Sequence, residues 1–166
     1  MIRKATIDDL ESILEIVGDA QQSLKRRGID QWQNGYPNRE SILSDISKGI
    51  GFVALCHDEI AAYAAIIVNG EPEYQHLDGQ WLSNQDYVVV HRICVRKDFT
   101  RQGLATILMK KGEEIALQHH AHSFKIDTHK DNRYMIELLE KEGFAYCGEI
   151  HYPHGERIAF EKLLHS

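Results

Sequence analysis

The chain has 166 residues, 43% of them hydrophobic, 27% charged and 8% aromatic. That profile fits one globular domain over residues 1–166, able to bury roughly 70% of its unfolded surface without disulfide or metal staples, and it excludes a disordered chain. Nineteen basic residues against twenty-five acidic ones leave a net charge of −6 with histidine neutral, which argues against a nucleic-acid partner, since such domains are usually basic.

The longest apolar run, Ile60 to Val68, falls far short of the about 20 residues that a membrane-spanning helix needs. The N-terminus turns acidic at Asp8-Asp9 before the apolar core of a signal peptide could develop. Cys56, Cys94 and Cys147 form no C-x-x-C pair, which suits a reducing compartment. No membrane and a cytoplasmic location are therefore expected.

Along the chain, Thr6 and Asp9 read as a helix start, with Thr6 as N-cap. Leu10, Ile13, Leu14, Val17, Ala20 and Leu24 follow a 3.6-residue stripe that ends near Gly28. A loop, Ile29 to Pro37, precedes a second helix after Asn38. Gly51 to His57 and Ile60 to Asn69 are strands joined by a turn at His57-Asp58-Glu59, the second apolar on both faces like a central strand. Glu71 to Gln85, polar and broken by Pro72 and Gly79, reads as a long loop.

Tyr87 to Val95 is the strongest strand signal, dense in β-branched residues. A polar turn then leads into a helix reaching about His119. Phe124 to Thr128 is a short strand, and Asp131 is the expected cap of a helix that stops at Gly143. Phe144 to Ile150 and Arg157 to Leu163 close the chain as strands. Helices interleaved with strands indicate a mixed α/β layer fold.

Chemistry concentrates where the Tyr87–Val95 strand passes through Arg101-Gln102-Gly103 into a helix. The first amides of a helix lack intrahelical partners and sit at the positive end of its dipole, so a glycine there lets an anion approach. The same glycine would equally serve a plain tight bend. Neither G-x-x-x-x-G-K-S/T nor G-x-G-x-x-G occurs, which disfavours the common ATP and dinucleotide loops.

Strand, turn, Arg101-Gln102-Gly103-Leu104-Ala105 and apolar helix resemble motif A of the GNAT superfamily of N-acetyltransferases, Q/R-x-x-G-x-G/A, with Gly103 and Ala105 at its last two fixed positions. Asn132-Arg133-Tyr134-Met135 followed by Leu138 to Phe144 resembles its motif B, N-x-x-A/M-x-x-L-Y-x-K-x-G-F. The order of elements along nearly the whole chain agrees. The resemblance implies a single mixed, mostly antiparallel sheet of acyl-CoA N-acyltransferase type, α/β in class, with a splayed central strand pair flanked by helices. It also implies direct transfer of acetyl from acetyl-CoA, a cosubstrate, to a small-molecule or peptide amine. On the matching positions, Ile93, Cys94 and Val95 would hold the pantetheine arm. Arg101, Gln102, Gly103, Leu104, Ala105 and Thr106 would hold the pyrophosphate, and Asn132 the arm again. Two positions depart from the motifs. Thr100 stands where motif A has Gln or Arg, so that Arg101 or the Thr100 hydroxyl would take over a phosphate contact. Leu139 stands where motif B has the tyrosine that protonates the leaving thiolate. A non-catalytic acyl-CoA-binding module on the same fold is the alternative these departures raise.

An attacking amine must be neutral, so a proton acceptor is expected nearby. His91, placed by strand alternation on the face of Val89 and Ile93, is one candidate, and Asp127 the other. Trp32 and Tyr36 in the first interhelical loop are candidates to line the acceptor pocket. The histidine clusters His119–His122 and His151–His154 lack the partners of structural zinc, and no metal is expected. Edge strands near the C-terminus are free to pair between subunits, which allows a homodimer.

Overall fold

The computed structural model describes residues 1–165. Its strands are β1 (Ile2–Lys4), β2 (Gly51–Cys56), β3 (Glu59–Val68), β4 (Asp78–Gly79), β5 (Val88–Val95), β6 (Ser123–Thr128), β7 (Ala145–Tyr152) and β8 (Gly155–Leu163). Four helices, α1 (Leu10–Arg26), α2 (Arg39–Lys48), α3 (Leu104–Gln118) and α4 (Arg133–Lys141), are spaced among them. The sheet is mixed and mostly antiparallel, with strand order β1-β2-β3-β5-β6-β8-β7-β4. Its parallel pair, β5 with β6, is registered at Val88↔Phe124 and Val89↔Lys125. Among the described residues, no helix is long and apolar enough to cross a membrane.

The chain falls into two compact units. The first comprises Met1–Ile66 and Val90–Lys111. The α1 stripe buries Ile13, Ile16 and Val17 against Ile42 of α2, Val53 of β2, Tyr63 of β3 and Cys94 of β5. Thr6 starts a 3-10 turn (Ile7–Asp9) instead of the α-helix itself. Asp9 accepts from the Thr6 amide at 2.7 Å and from the Arg3 guanidinium at 2.7 and 3.0 Å. Asn38 caps α2 by accepting from the Ser41 amide at 2.9 Å. His57 and Asp58, both at positive φ, turn β2 tightly into β3. β1 is an addition to the expected elements: three residues that find their ladder on β2.

The second unit comprises Ile67–Val89 and Gly112–Ser166. Here the expected long loop, Glu71 to Gln85, acquires structure. A 3-10 turn (Pro72–His76) buries Tyr74, and β4 pairs with β7. Gly79 and Gly148 face each other across that pairing at φ 151° and 150°, and a Cβ on either would run into the opposite backbone. The expected cap of α4 is corrected. Asp131 is exposed, and it is the Asn132 carboxamide that accepts from the Met135 amide at 3.3 Å. The last two strands run longer than the pattern suggests, meeting at a turn through Pro153 and His154.

Candidate functional site

In the first unit, α3 begins with a backbone shaped for an anion. Its Ile107 amide bonds the Gly103 carbonyl at 3.0 Å, so the amides of Leu104, Ala105 and Thr106 lie ahead of the helical ladder. Arg101 (φ 63°) and Gly103 (φ 75°) both adopt left-handed backbone, the geometry in which successive amides form a concavity for negative charge. A Cβ placed on Gly103 would meet nothing within 4 Å, so the space above the turn is open. Phe99, just before the turn in the chain, is buried, with the Arg96 guanidinium 5.3 Å from its ring centroid. Gln102 accepts a weak bond from the Cys56 thiol at 3.7 Å. Thr100, standing in for the motif's Gln or Arg, donates its hydroxyl to the Lys97 carbonyl at 3.3 Å.

Upstream, β5 departs from regular alternation. Arg92 sits at φ 55°, a conformation that costs a non-glycine residue about 1–2 kcal/mol. Its guanidinium explains why the backbone stays there. Nε and Nη2 donate to the two oxygens of Asp45 at 2.8 and 2.6 Å, and Nη1 donates to the Tyr36 hydroxyl at 2.6 Å. Tyr63 donates to Asp45 at 2.6 Å, and Asp45 is only 2% exposed. Burial opposes the Arg92 charge, but the bonds to Asp45 and Tyr36 outweigh it and raise its pKa. Burial and the hydrogen bond to Asp45 likewise push the Tyr63 phenol up.

The left-handed Arg92 stands between His91 and Ile93, so regular alternation is interrupted between those two, while Val89 and His91 lie on the regular stretch before it. His91, Ile93 and Val95 are half-buried, while Cys94 is buried and its thiol pushed up to about 12 by that burial. Of the two loop aromatics, Trp32 packs onto the α1–α2 core, whereas Tyr36 remains exposed and hydrogen-bonded to Arg92.

The amino-acid pattern of residues 14–144 matches the profile of the acetyltransferase (GNAT) family. The chain belongs to the GNAT acetyltransferase family. A GNAT-family acetyltransferase from Streptococcus agalactiae 2603 superposes with a TM-score of 0.90 at 33% identity, over 100% of this chain and 96% of that one. At lower identity the likeness is one of fold. The ribosomal-protein-alanine N-acetyltransferase of Brucella melitensis gives 0.70 at 19%, over 99% of each chain. The PaiA N-acetyltransferase of Thermoplasma acidophilum, solved in complex with coenzyme A, gives 0.72 at 15%, over 98% of each. No curated protein sequence matches the chain.

In the second unit of this GNAT protein, Asp127 on β6 lies under two phenols. Tyr74 and Tyr152 both donate to its Oδ2, at 2.8 and 3.0 Å. Burial first, then the Asp127 charge, raises the pKa of each tyrosine. Glu71 also acts on both phenols electrostatically, so the surroundings of Asp127 are acidic as well as aromatic. Leu139, in the place of the motif's tyrosine, is fully buried, so it belongs to the core and carries no proton. Tyr134 and Tyr146 are exposed at 53% and 58%.

Sequence reading missed Asp45, Tyr63, Tyr74, Tyr152 and the strained Arg92. The pairing partners lie 18 to 53 positions apart in the chain, beyond any local pattern. One histidine cluster does gain acidic neighbours: His151 lies beside Asp78, Glu149 and Glu156 on the β4–β7–β8 face.

Proposed function

We propose that this GNAT protein is an N-acetyltransferase, a single catalytic domain over residues 1–166 that moves the acetyl group of acetyl-CoA to a primary amine. The observation that carries the reading is the open, left-handed turn at Arg101 and Gly103 ahead of the α3 amides, in a chain of this family. Those amides, from Gln102 to Thr106, would take the pyrophosphate with Arg101 as counter-charge, while Ile93, Cys94, Val95 and Asn132 would take the pantetheine arm. The Asn132 carboxamide oxygen already caps α4, which fixes the orientation its amide presents.

Acetyl-CoA supplies an acetyl thioester. The neutral amine attacks its carbonyl carbon, the carbon–sulfur bond breaks, CoA departs as thiolate, and the amine's proton passes to a base. In this reading His91 accepts that proton, and Asp127, with Oδ2 fixed by two phenols, orients the acceptor's ammonium before it is deprotonated. Tyr36 contributes a wall of the acceptor pocket, with Trp32 as its brace. A thiolate of pKa about 8.5 leaves without a strong acid, so Leu139 does not block transfer. Three free cysteines suit a reducing cytoplasm, and a homodimer belongs to the same reading, although the C-terminal strands β7 and β8 lie inside the strand order and the sheet's edges are β1 and β4.

The buried Leu139 also favours a second reading, an acyl-CoA-binding module without transfer. An amine panel assayed for release of free CoA thiol separates the two. Transfer predicts turnover with at least one amine and a His91→Gln variant about 100-fold slower. Thermal stabilisation by acetyl-CoA, about 2.7 kcal/mol at 100 times its dissociation constant, with no thiol release from any amine would establish the module instead.

A further inference from the structure

In the second unit, two like charges face each other across the β4–β7 ladder. Asp78 and Glu149 are direct register partners, so their carboxylates leave the sheet on one face. Opposed like charges destabilise a strand pair. The backbones nonetheless approach closely, because the adjoining partners are Gly79 and Gly148, where a Cβ on either would run into the opposite chain. Glu149 is half-buried, and among the described residues its carboxylate has no hydrogen-bonded partner. A cation between the two carboxylates would turn this local cost into a contact.

His151 supplies a third group. It stands two residues beyond Glu149 on β7, hence on the same face. One ligand atom each from Asp78, Glu149 and His151 come within 4.8 Å of one another. His151 Nε2 and Asp78 Oδ2 are 3.2 Å apart. Zinc bonds of about 2.0–2.1 Å at a tetrahedral angle set two ligand atoms about 3.3 Å apart, so an ion fits between this pair in place of the proton. A side-chain rotation brings Glu149 onto it.

An independent feature lies on the other ring nitrogen. His151 Nδ1 is 3.1 Å from Glu156 of β8, the register partner of His151 and not one of the three ligands. A carboxylate on the far nitrogen is what orients a metal-bound imidazole and fixes which nitrogen faces the ion. The His151 side chain is 48% exposed, so water can complete the coordination shell. Asp78 reaches His151 from 73 positions away, and no spacing of histidines in the sequence announces that meeting.

One imidazole with two carboxylates suits a divalent ion of zinc type, whereas magnesium and calcium prefer oxygen alone. We propose that Asp78, Glu149 and His151 form a zinc-type cation site, oriented by Glu156, that pins β4 to the β7–β8 hairpin. The site is independent of the acetyl-CoA reading above.

Calorimetric titration of the full chain, stripped with a chelator, with zinc chloride alone tests it. Wild type should bind one ion, and Asp78→Asn and His151→Gln should each weaken it at least about tenfold. Glu156→Gln should weaken it about tenfold through the imidazole, while His120→Gln, in the other histidine cluster, stays within about twofold. Zinc at a hundred times its dissociation constant should raise the wild-type melting temperature by about 5–10 °C and leave that of His151→Gln unmoved. Zinc binding that survives both Asp78→Asn and His151→Gln would overturn the site, placing the ion on other histidines. Equal affinity for magnesium would overturn it too, reducing the face to a patch of negative charge, as would a wild type that binds no zinc.

Discussion

Each unit of the protein buries a carboxylate, and the two are accommodated by opposite means. In the first unit, Asp45 is met by a cation: two bonds from the Arg92 guanidinium and one from Tyr63. In the second, Glu161 is fully buried and accepts from four neutral donors. These are the amides of Leu82 and Ser83 at 2.7 and 3.3 Å, and the hydroxyls of Ser83 and Ser123 at 2.6 and 2.7 Å. The nearby cation, Lys125, is also buried and lies over the rings of Trp81 and Tyr87, at 4.3 and 4.6 Å. Burial lowers its pKa and the Glu161 charge partly restores it. A carboxylate satisfied by a guanidinium depends on one residue. A carboxylate satisfied by amides and hydroxyls spreads its dependence over a whole segment, here the one carrying Leu82 and Ser83.

The sharpest way to break this contrast is Arg92→Met. It leaves Asp45 buried without its counter-charge and removes the bond that holds Tyr36. Breaking one side of a buried ion pair costs about 3–5 kcal/mol, so urea unfolding should show a loss of that size. A loss under 1 kcal/mol would mean that Asp45 is relieved by Tyr63 or by water, and that the two carboxylates are not treated differently after all.

Much of the frame around these groups was legible in the sequence, because it is written locally. The α1 stripe, the β-branched run of β5 and the turn at Gly103 each declare themselves within about ten residues. Arg92 does not. Its left-handed backbone inside a β-branched strand is held by Asp45, 47 positions away on α2. Glu161 finds Leu82 across 79 positions, so the segment before β5 reads as a loop although a buried carboxylate ties it down. β1 and β4 are too short to carry a period and exist because β2 and β7 offer them ladders. Asp131 and Asn132 are chemically equivalent as caps, and only the path of the chain decides between them.

Glu161→Gln is the corresponding perturbation in the second unit, and its effect should be smaller. The carboxamide oxygen can keep the Leu82 and Ser83 amides, which cannot reverse their polarity. Its NH2 then faces the two serine hydroxyls, which can rotate to accept. What is lost is charge assistance, about 1–2 kcal/mol, seen as a modest fall in the urea midpoint with limited proteolysis between residues 77 and 86 little changed. A loss as large as that of Arg92→Met would show that the negative charge itself, held near Lys125, stabilises this unit.

The smallest effect tests a charge pair that is not buried at all. His151 lies between the carboxylates of Asp78 and Glu156, at 3.2 and 3.1 Å, on the solvent face. The hydrogen bond to Asp78, joined by that to Glu156, raises its pKa above the ordinary 6.5. A pKa raised in the folded state means protonation and folding favour each other. The contribution is fully present below pH 6.5 and disappears as pH rises through the folded-state value. Proton NMR should find the His151 ring titrating above 6.5 in the wild type, with Asp78→Asn bringing it down. If His151 titrates at 6.5 or below in the wild type, solvent screens the carboxylates completely. In that case the contrast between a cation-paired and a dipole-satisfied carboxylate would hold only where water is excluded, as it is around Asp45 and Glu161.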